Sequence, residues 1–228
     1  MPKHIGIIAV SPEGSALCYR SIMSLCSERE GPKPSVTMHS RPFASYLDAI
    51  HKQDWTAVGM LLQESAFALA ACGAEFCVLP DNVAAYATPL AESKSPIPWL
   101  SMIDLVADAV TNDQRGSVGL LGTKAVSYGS IYQVILGLRG VKVVAPPEDE
   151  ADAIDRIIYD ELVYGRVMPQ SRERLLRSIE ALEKRGCDGI IVGCTELPLL
   201  LNGIGSPLPC YDALSLLAGA AVERSMAG

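Results

Sequence analysis

Two residues able to exchange protons, Asp81 and Cys194, each follow a short apolar segment that runs into a turn. Asp81 lies in "FCVLPDNVAAY", residues 76–86, and Cys194 lies in "GIIVGCTELPL", residues 189–199. A carboxylate and a thiol can each take up or deliver a proton in general acid–base chemistry. The two positions are therefore candidate reactive groups, and the elements around them must explain how they could act on one substrate.

An internal repeat relates the two segments, because an offset of 113 residues places Asp81 on Cys194. The same offset pairs Gly6 with Gly119, Tyr19 with Tyr132, Leu62 with Leu175, Ser65 with Ser178, and Gly73 with Gly186. Further along the chain the offset becomes 111 and pairs Pro98 with Pro209. Two unrelated strand–helix units can look alike, but a fixed offset through four successive elements favours duplication.

Short apolar runs alternate with helical patterns along the chain. The runs are "IGIIAV", "FCVLP", "SVGLLG", "VKVVAP" and "GIIVGC", at residues 5–10, 76–80, 117–122, 141–146 and 189–194. Between them, residues 54–73 and 171–186 carry apolar side chains at helical spacing and end in glycine, a common helix stop signal. This order predicts an α/β fold in which parallel strands are covered by helices.

The repeat predicts two similar halves, residues 1–100 plus 210–228 and residues 101–209, each a small parallel sheet flanked by helices. We expect the closing helix to pack on the first half. Ligands of open α/β sheets bind beyond the carboxyl ends of the strands. The sequence therefore predicts a cleft between the halves in which Asp81 and Cys194 approach a substrate from opposite sides.

Composition narrows the class of protein. The chain has 228 residues, a formal net charge of −7 and seven cysteines, and its sequence pI is about 5.0. Nucleic-acid binding is not expected without a clustered basic face, and no apolar run is long enough for a membrane span. With no CxxC spacing, neither a disulfide framework nor a zinc site is expected, and Cys77 is interpreted as core. We expect a cytoplasmic protein.

Three segments resemble the aspartate/glutamate racemase family: "VGLLGTKAVSYGSIY" (118–132), "IIYDELVYGRVMPQSRERLL" (157–176) and "GCTELPLLL" (193–201). The resemblance extends over nearly the whole chain. It implies two Rossmann-like or flavodoxin-like halves and amino-acid racemisation without a cofactor or metal. It also implies a small-molecule substrate, an amino acid or small carboxylate, and a homodimer.

In the family pattern each half supplies a cysteine, one on each side of the substrate Cα. This sequence keeps the second cysteine as Cys194, but Asp81 stands at the first position and Val83 replaces a threonine. Ala85 also departs from the pattern, since many members have a histidine there. The resemblance therefore implies that Asp81 and Cys194 are the catalytic pair.

The mixed pair poses an energetic problem. With ordinary pKa values of about 3.9 for aspartate and about 8.5 for cysteine, moving a proton from thiol to carboxylate costs about 6 kcal/mol. We expect the helix that follows Cys194 to lower the pKa of its thiol and favour the thiolate. Three readings stay open: a racemase or epimerase using both groups, a decarboxylase or isomerase using Cys194 alone, and a binding protein without catalysis.

The predicted substrate-binding residues are Ser11, Arg41, Asn82, Val83, Thr123, Ser127, Arg166, Thr195 and Glu196. By resemblance, the turn with Thr123 and Ser127 holds a carboxylate oxygen, and Ser11 lies at the equivalent turn of the first half. Arg166 stands where members commonly have a lysine that reaches the substrate, and Arg41, after the second strand, could select a distal acidic group. Asn82, Thr195 and Glu196 could instead be helix caps or first-turn residues.

Overall fold

The structure, a computed structural model, describes residues 1–202 and 205–227. The chain forms two compact units. The first comprises Met1–Met102 and Leu214–Gly228, and the second comprises Ile103–Ala213. Each unit is an α/β layer built around its own parallel sheet.

The strands are β1 (Ile5–Ala9), β2 (Val36–Ser40), β3 (Phe76–Val78), β4 (Trp99–Leu100), β5 (Ser117–Leu121), β6 (Lys142–Val144), β7 (Gly189–Val192) and β8 (Cys210–Asp212). The α-helices are α1 (Pro12–Ser27), α2 (Phe43–His51), α3 (Trp55–Ala71), α4 (Thr88–Glu92), α5 (Met102–Asn112), α6 (Lys124–Ser127), α7 (Ser130–Gly137), α8 (Glu148–Asp160), α9 (Pro169–Lys184), α10 (Pro198–Leu201) and α11 (Ala213–Met226). Two short 3-10 helices cover Ala84–Ala87 and Leu162–Tyr164.

Both sheets have four strands and the same order, β2-β1-β3-β4 in the first unit and β6-β5-β7-β8 in the second. All strand pairs are parallel. The predicted α/β fold with two parallel sheets is confirmed. β1, β3 and β7 are fully buried, as expected of strands covered on both faces, whose sequences are near-continuous apolar runs.

The internal repeat extends to the packing of single glycines. A Cβ added at Gly6 would lie 3.2 Å from a methyl group of Leu69, and one added at Gly119 would lie 2.7 Å from a methyl group of Leu182. Both partners are related by the same offset of 113 residues. The glycines let the helix α3 or α9 approach its sheet closely, and the two units use the same device.

The two helices predicted from apolar spacing begin and end close to the expected positions. Asp54 caps α3 by accepting a hydrogen bond from the Ala57 N–H at 2.9 Å, and α9 begins with Pro169, which lacks the N–H that a first turn leaves unpaired. Gly73 and Gly186 follow these helices with φ of +90° and +85°. Such left-handed conformations favour glycine.

Three strands were not among the predicted apolar runs. β4 has two residues, β8 has three, and β2 is only partly buried. β8 belongs to the second sheet, and the chain returns to the first unit at Leu214.

α11 lies in the first unit, where Ser225 Oγ donates to the Lys3 carbonyl at 2.6 Å. In the part of the chain that the structure describes, no helix combines the length and apolar character needed to cross a bilayer.

Candidate active site

Three predicted site residues of the first unit follow adjacent strands. Ser11 comes after β1, Arg41 after β2 and Asp81 after β3, and the sheet order places these strands side by side. The carboxyl ends of parallel strands meet at one edge of a sheet, where α/β proteins bind ligands. The first unit therefore gathers Ser11, Arg41 and Asp81 along one edge.

Asp81 is half-buried and organises the turn that follows it. Its Oδ1 accepts a hydrogen bond from the Ala84 N–H at 2.7 Å, and its carbonyl accepts one from the Ala85 N–H at 3.2 Å. Asn82 and Val83 are buried in the same turn. The turn leads into the 3-10 helix Ala84–Ala87, so the capping role considered for this segment belongs to Asp81 itself.

Tyr46, on α2, is a buried polar residue of the first unit that the sequence did not reveal. Its side chain is fully buried, and among the described residues its hydroxyl meets no acceptor or donor with hydrogen-bond geometry. Burial raises the pKa of the Tyr46 phenol, with the carboxylates of Asp81 and Glu64 adding to the rise and the Ser65 hydroxyl and Arg41 opposing it. A tyrosine at an apolar position of a helix predicts burial, but the pattern does not predict which charged groups lie near its phenol.

Arg41 forms an ion pair with Glu64 of α3. The guanidinium predicted to select a distal acidic group on the substrate is thus already bound to a carboxylate of its own unit. A substrate acid at this place would have to share Arg41 with Glu64.

In the second unit, Cys194, Thr195 and Glu196 form a buried hydrogen-bonded cluster at the carboxyl end of β7. Cys194 Sγ donates to Glu196 Oε2 at 3.1 Å, and Thr195 Oγ1 donates to the same oxygen at 2.7 Å. All three side chains are at most 6% exposed. The Glu196 carboxylate therefore accepts a hydrogen bond from the predicted reactive thiol. It also accepts one from the Thr195 hydroxyl, which was expected to face a substrate.

The expectation that Cys194 would be a stabilised thiolate is wrong, because its pKa is raised well above the ordinary value. Burial is the largest cause and the Glu196 carboxylate the second, while the backbone N–H groups of Glu196 and Leu197 oppose the rise. The helix that follows, α10, has only four residues. Two backbone donors cannot outweigh the loss of solvent and an adjacent negative charge.

The turn after β5 packs directly on the turn before Cys194. The Gly193 N–H donates to the Leu121 carbonyl at 2.7 Å, and a Cβ added at Gly122 would lie 2.7 Å from the Gly193 carbonyl oxygen. This contact holds Thr123 beside the cysteine turn. Thr123 caps α6 by accepting from the Val126 N–H at 3.4 Å.

Ser127, the second predicted carboxylate-binding residue of this turn, is completely buried. Its hydroxyl donates to the Gly122 carbonyl at 3.3 Å. The second unit thus brings Thr123, Ser127 and the Cys194 cluster to one edge of its sheet.

Arg166 is placed differently from the other predicted residues. It lies on an exposed loop between the 3-10 helix Leu162–Tyr164 and α9, with its guanidinium carbon 5.5 Å from the centroid of the Tyr164 ring. Its charge therefore contacts an aromatic ring of its own loop.

The chain as a whole matches a known family. The model of the family described as Asp/Glu/Hydantoin racemase matches residues 7–221. The chain belongs to this family.

Similar proteins are found among both sequences and solved structures. A glutamate racemase of Pseudomonas aeruginosa is 30% identical over 156 residues, which are 68% of this chain but only 57% of that protein. A broad specificity amino-acid racemase of Bacillus subtilis is 23% identical over 98% of both chains. The structure of an aspartate racemase homologue from Pyrococcus horikoshii superposes with a TM-score of 0.84 and 27% identity, covering 98% of this chain and 99% of that one.

Proposed function

We propose that the protein is a cofactor-independent amino-acid racemase or epimerase in which Asp81 and Cys194 move a proton at the substrate Cα. The observation that carries this proposal is the buried Cys194 thiol, which donates a hydrogen bond to the Glu196 carboxylate at 3.1 Å. The similarity to a glutamate racemase and to a broad specificity amino-acid racemase supports the reaction class. The substrate would be an amino acid.

The protonation state of Cys194 assigns the roles of the pair in one direction. Burial and Glu196 favour the thiol, so Cys194 is the acid and Asp81 the base. Asp81 takes the proton as the Cα–H bond breaks, and the electron pair remains on the substrate as a planar intermediate. Cys194 then gives its proton to the opposite face of that carbon.

After this step Asp81 is protonated and Cys194 is a thiolate, which is the state that the reverse direction requires. The backbone N–H groups of Glu196 and Leu197 act in favour of that thiolate. A balanced racemase needs this form to be accessible, because the product of one direction is the reactant of the other.

Other polar groups at the two sheet edges hold the substrate in this proposal. Thr123 and Ser127 in the second unit, and Ser11 and Asn82 in the first, bind carboxylate oxygens, while Val83 forms an apolar wall. Arg41 and Arg166 bind a distal acidic group, Arg41 through its shared contact with Glu64. Thr195 and Glu196 act through Cys194. We further propose a cytoplasmic homodimer, as the family resemblance implies.

A second candidate is a one-sided reaction, such as decarboxylation or isomerisation of a small carboxylate. The specific observation in its favour is again the pKa of Cys194, which is raised by burial and Glu196. A thiol that stays protonated can deliver a proton to a carbanion without ever acting as a base. In that case Asp81 would orient the substrate.

The test is ¹H NMR in D₂O with a panel of amino acids and small dicarboxylates. A racemase replaces the Cα hydrogen with deuterium while optical activity is lost. Asp81→Asn and Cys194→Ser are each expected to slow exchange by about 10²- to 10⁴-fold, the usual contribution of a general acid or base.

Each variant has a matched control within the chain. Asp54→Asn changes an aspartate that caps a helix start in the same way as Asp81. Cys187→Ser changes a second buried cysteine just before β7. Both controls should keep the wild-type exchange rate, and an Asp81→Asn protein that exchanges as fast as wild type would refute the two-base assignment.

A further inference from the structure

Ser15, in the first turn of α1, carries a buried hydroxyl that the fold itself does not use. The residue is only 1% exposed, and no hydrogen-bond partner for its Oγ exists among the residues that the structure describes. A buried polar group without a partner destabilises the folded protein, so such groups call for a reason.

The position of Ser15 suggests what the hydroxyl serves. Side chains of a helix tilt towards its N-terminus, so Ser15 lies over the first turn of α1, which has 16 residues and follows β1. The first N–H groups of a helix lack partners within it, and its dipole there favours negative charge. β1 pairs with β3, the strand that leads to Asp81, so this turn lies at the same sheet edge.

The second unit contains the same arrangement of two hydroxyls. Ser11 and Ser15 are four residues apart, and so are Thr123 and Ser127 at the start of α6. The Ser15 N–H donates to the Ser11 carbonyl at 3.1 Å, and the Ser127 N–H donates to the Thr123 carbonyl at 2.8 Å. The Ser127 hydroxyl donates a hydrogen bond to the Gly122 carbonyl. The Ser15 hydroxyl makes no such bond among the described residues.

We propose that Ser15, with the N-terminal turn of α1, binds a carboxylate of the substrate. This inference rests on the proposed function and deepens it, since it adds a binding residue in the unit that carries Asp81. Glu13 lies in the same turn and adds a negative charge there. That charge disfavours a dianion and is compatible with the ammonium of an amino acid, so the turn suits a zwitterion.

The experiment compares Ser15→Ala with Ser178→Ala, a buried serine of α9 whose hydroxyl bonds Glu150 and Arg174. Thermal unfolding is measured with and without L-aspartate, L-glutamate and malonate, and kcat and KM are measured for the amino acid exchanged fastest. For Ser15→Ala we expect a KM about 10- to 100-fold higher, the effect of losing one hydrogen bond to a charged group. The kcat should change by less than about threefold.

The unliganded proteins give a second readout. Ser15→Ala should melt no lower than wild type, because it removes an unsatisfied buried hydroxyl, but its melting temperature should no longer rise with the amino acids. Ser178→Ala should melt lower and keep the wild-type KM and ligand response. A Ser15→Ala protein that melts lower and keeps both its KM and its ligand response would overturn the proposal.

The outcomes separate this site from the proposed reaction. If the wild type exchanges no Cα hydrogen but is stabilised by amino acids, and Ser15→Ala is not, the carboxylate site holds and the reaction is wrong. If the wild type exchanges and Ser15→Ala has an unchanged KM, the reaction holds and the site is wrong. A wild type with neither exchange nor stabilisation would count against both.

Discussion

At the scale of single residues, the decisive contact is the one between the Cys194 thiol and the Glu196 carboxylate. The two residues are separated by one position, and the hydrogen bond between them spans 3.1 Å. A negative charge at this distance disfavours ionisation of the thiol, and burial acts in the same direction. Glu196 therefore acts with burial to raise the pH at which the Cys194 thiol ionises.

We expect Glu196→Gln to lower the pKa of Cys194 relative to wild type, because the substitution removes the charge while keeping the shape and the burial. The alkylation rate of the Cys194 peptide, followed by mass spectrometry across a pH series, should rise at correspondingly lower pH.

The control for this prediction is Glu183→Gln, which changes an exposed glutamate at the end of α9. Its alkylation profile at Cys194 should match that of wild type. Coincident profiles for Glu196→Gln and wild type would show that the carboxylate does not govern the thiol.

Residue positions were easier to predict from sequence than residue states. The turns after apolar runs located Asp81 and Cys194, but whether Cys194 is ionised depends on how the Glu196 side chain folds back, which no pattern encodes. The buried hydroxyl of Ser15 was missed because a serine in a first helical turn looks ordinary. A signal existed in the hydroxyl spacing shared by Ser11 with Ser15 and Thr123 with Ser127.

At the scale of elements, the second unit depends on two turns whose backbones touch. Gly122, after β5, packs against Gly193, after β7, with no room for a side chain between them. The strands β5 and β7 are neighbours in the sheet, so their turns carry Thr123 and Cys194 side by side. The position of the thiol is therefore fixed by glycines as well as by strands.

Gly122→Ala should destabilise the protein by about 1 to 3 kcal/mol, as overpacking of a filled interior does. The added methyl group would lie 2.7 Å from the Gly193 carbonyl oxygen, so the cysteine turn must move. Urea unfolding should show a lower midpoint, and Cα exchange should slow beyond what the loss of folded protein explains.

Gly137→Ala, in α7, is the comparison for this change. Apart from its chain neighbours and the backbone of its own helix, no described atom would lie within 4 Å of its added Cβ. We therefore expect a gain of about 0.5 kcal/mol from reduced freedom of the unfolded chain. Equal stability of the two variants would mean that the contact between the turns is not tight in solution.

Sequence reading located β1, β3, β5, β6 and β7 through their apolar runs and missed β4 and β8. Trp99–Leu100 and Cys210–Asp212 are too short to show a pattern, and each follows a proline, Pro98 or Pro209. These edge strands are held by pairing with β3 and β7. Their conformation comes from the sheet rather than from local preference.

At the scale of the whole molecule, both units keep thiols in their interiors. Cys18 and Cys77 are fully buried in the first unit, which confirms Cys77 as core, and Cys187 and Cys194 are buried in the second. Burial raises the pKa of Cys18 and of Cys77 to about 12. The folded protein thus holds protons that the unfolded chain releases in mildly alkaline solution.

Stability should therefore decline with alkaline pH. Below about pH 9 the folded and unfolded states both keep the thiol protons, so these groups do not change the free energy of unfolding. Between about pH 9 and about pH 12 that free energy falls as the pH rises. Each thiol contributes a slope of about −1.4 kcal/mol per pH unit to the free energy of unfolding in this range. Urea unfolding at a series of pH values measures the slope.

Single substitutions isolate the thiol contribution from that of other groups that titrate at high pH. Cys18→Ala and Cys77→Ala should each flatten the slope, although both lose stability at every pH through the cavity they create. Cys72→Ala changes an exposed cysteine and should keep the wild-type slope. An unchanged slope in all three proteins would contradict the assignment to buried thiols.

The two units repeat strand order, register and glycine packing, yet one carries Asp81 where the other carries Cys194. In the racemisation proposed above, two unlike side chains would act on an equilibrium between mirror-image molecules. Enantiomers have equal free energies in water, so kcat/KM must be the same in both directions whichever side chains do the work. The difference between carboxylate and thiol can then appear only as matched changes in kcat and KM, and the two enantiomers would saturate the enzyme at different concentrations.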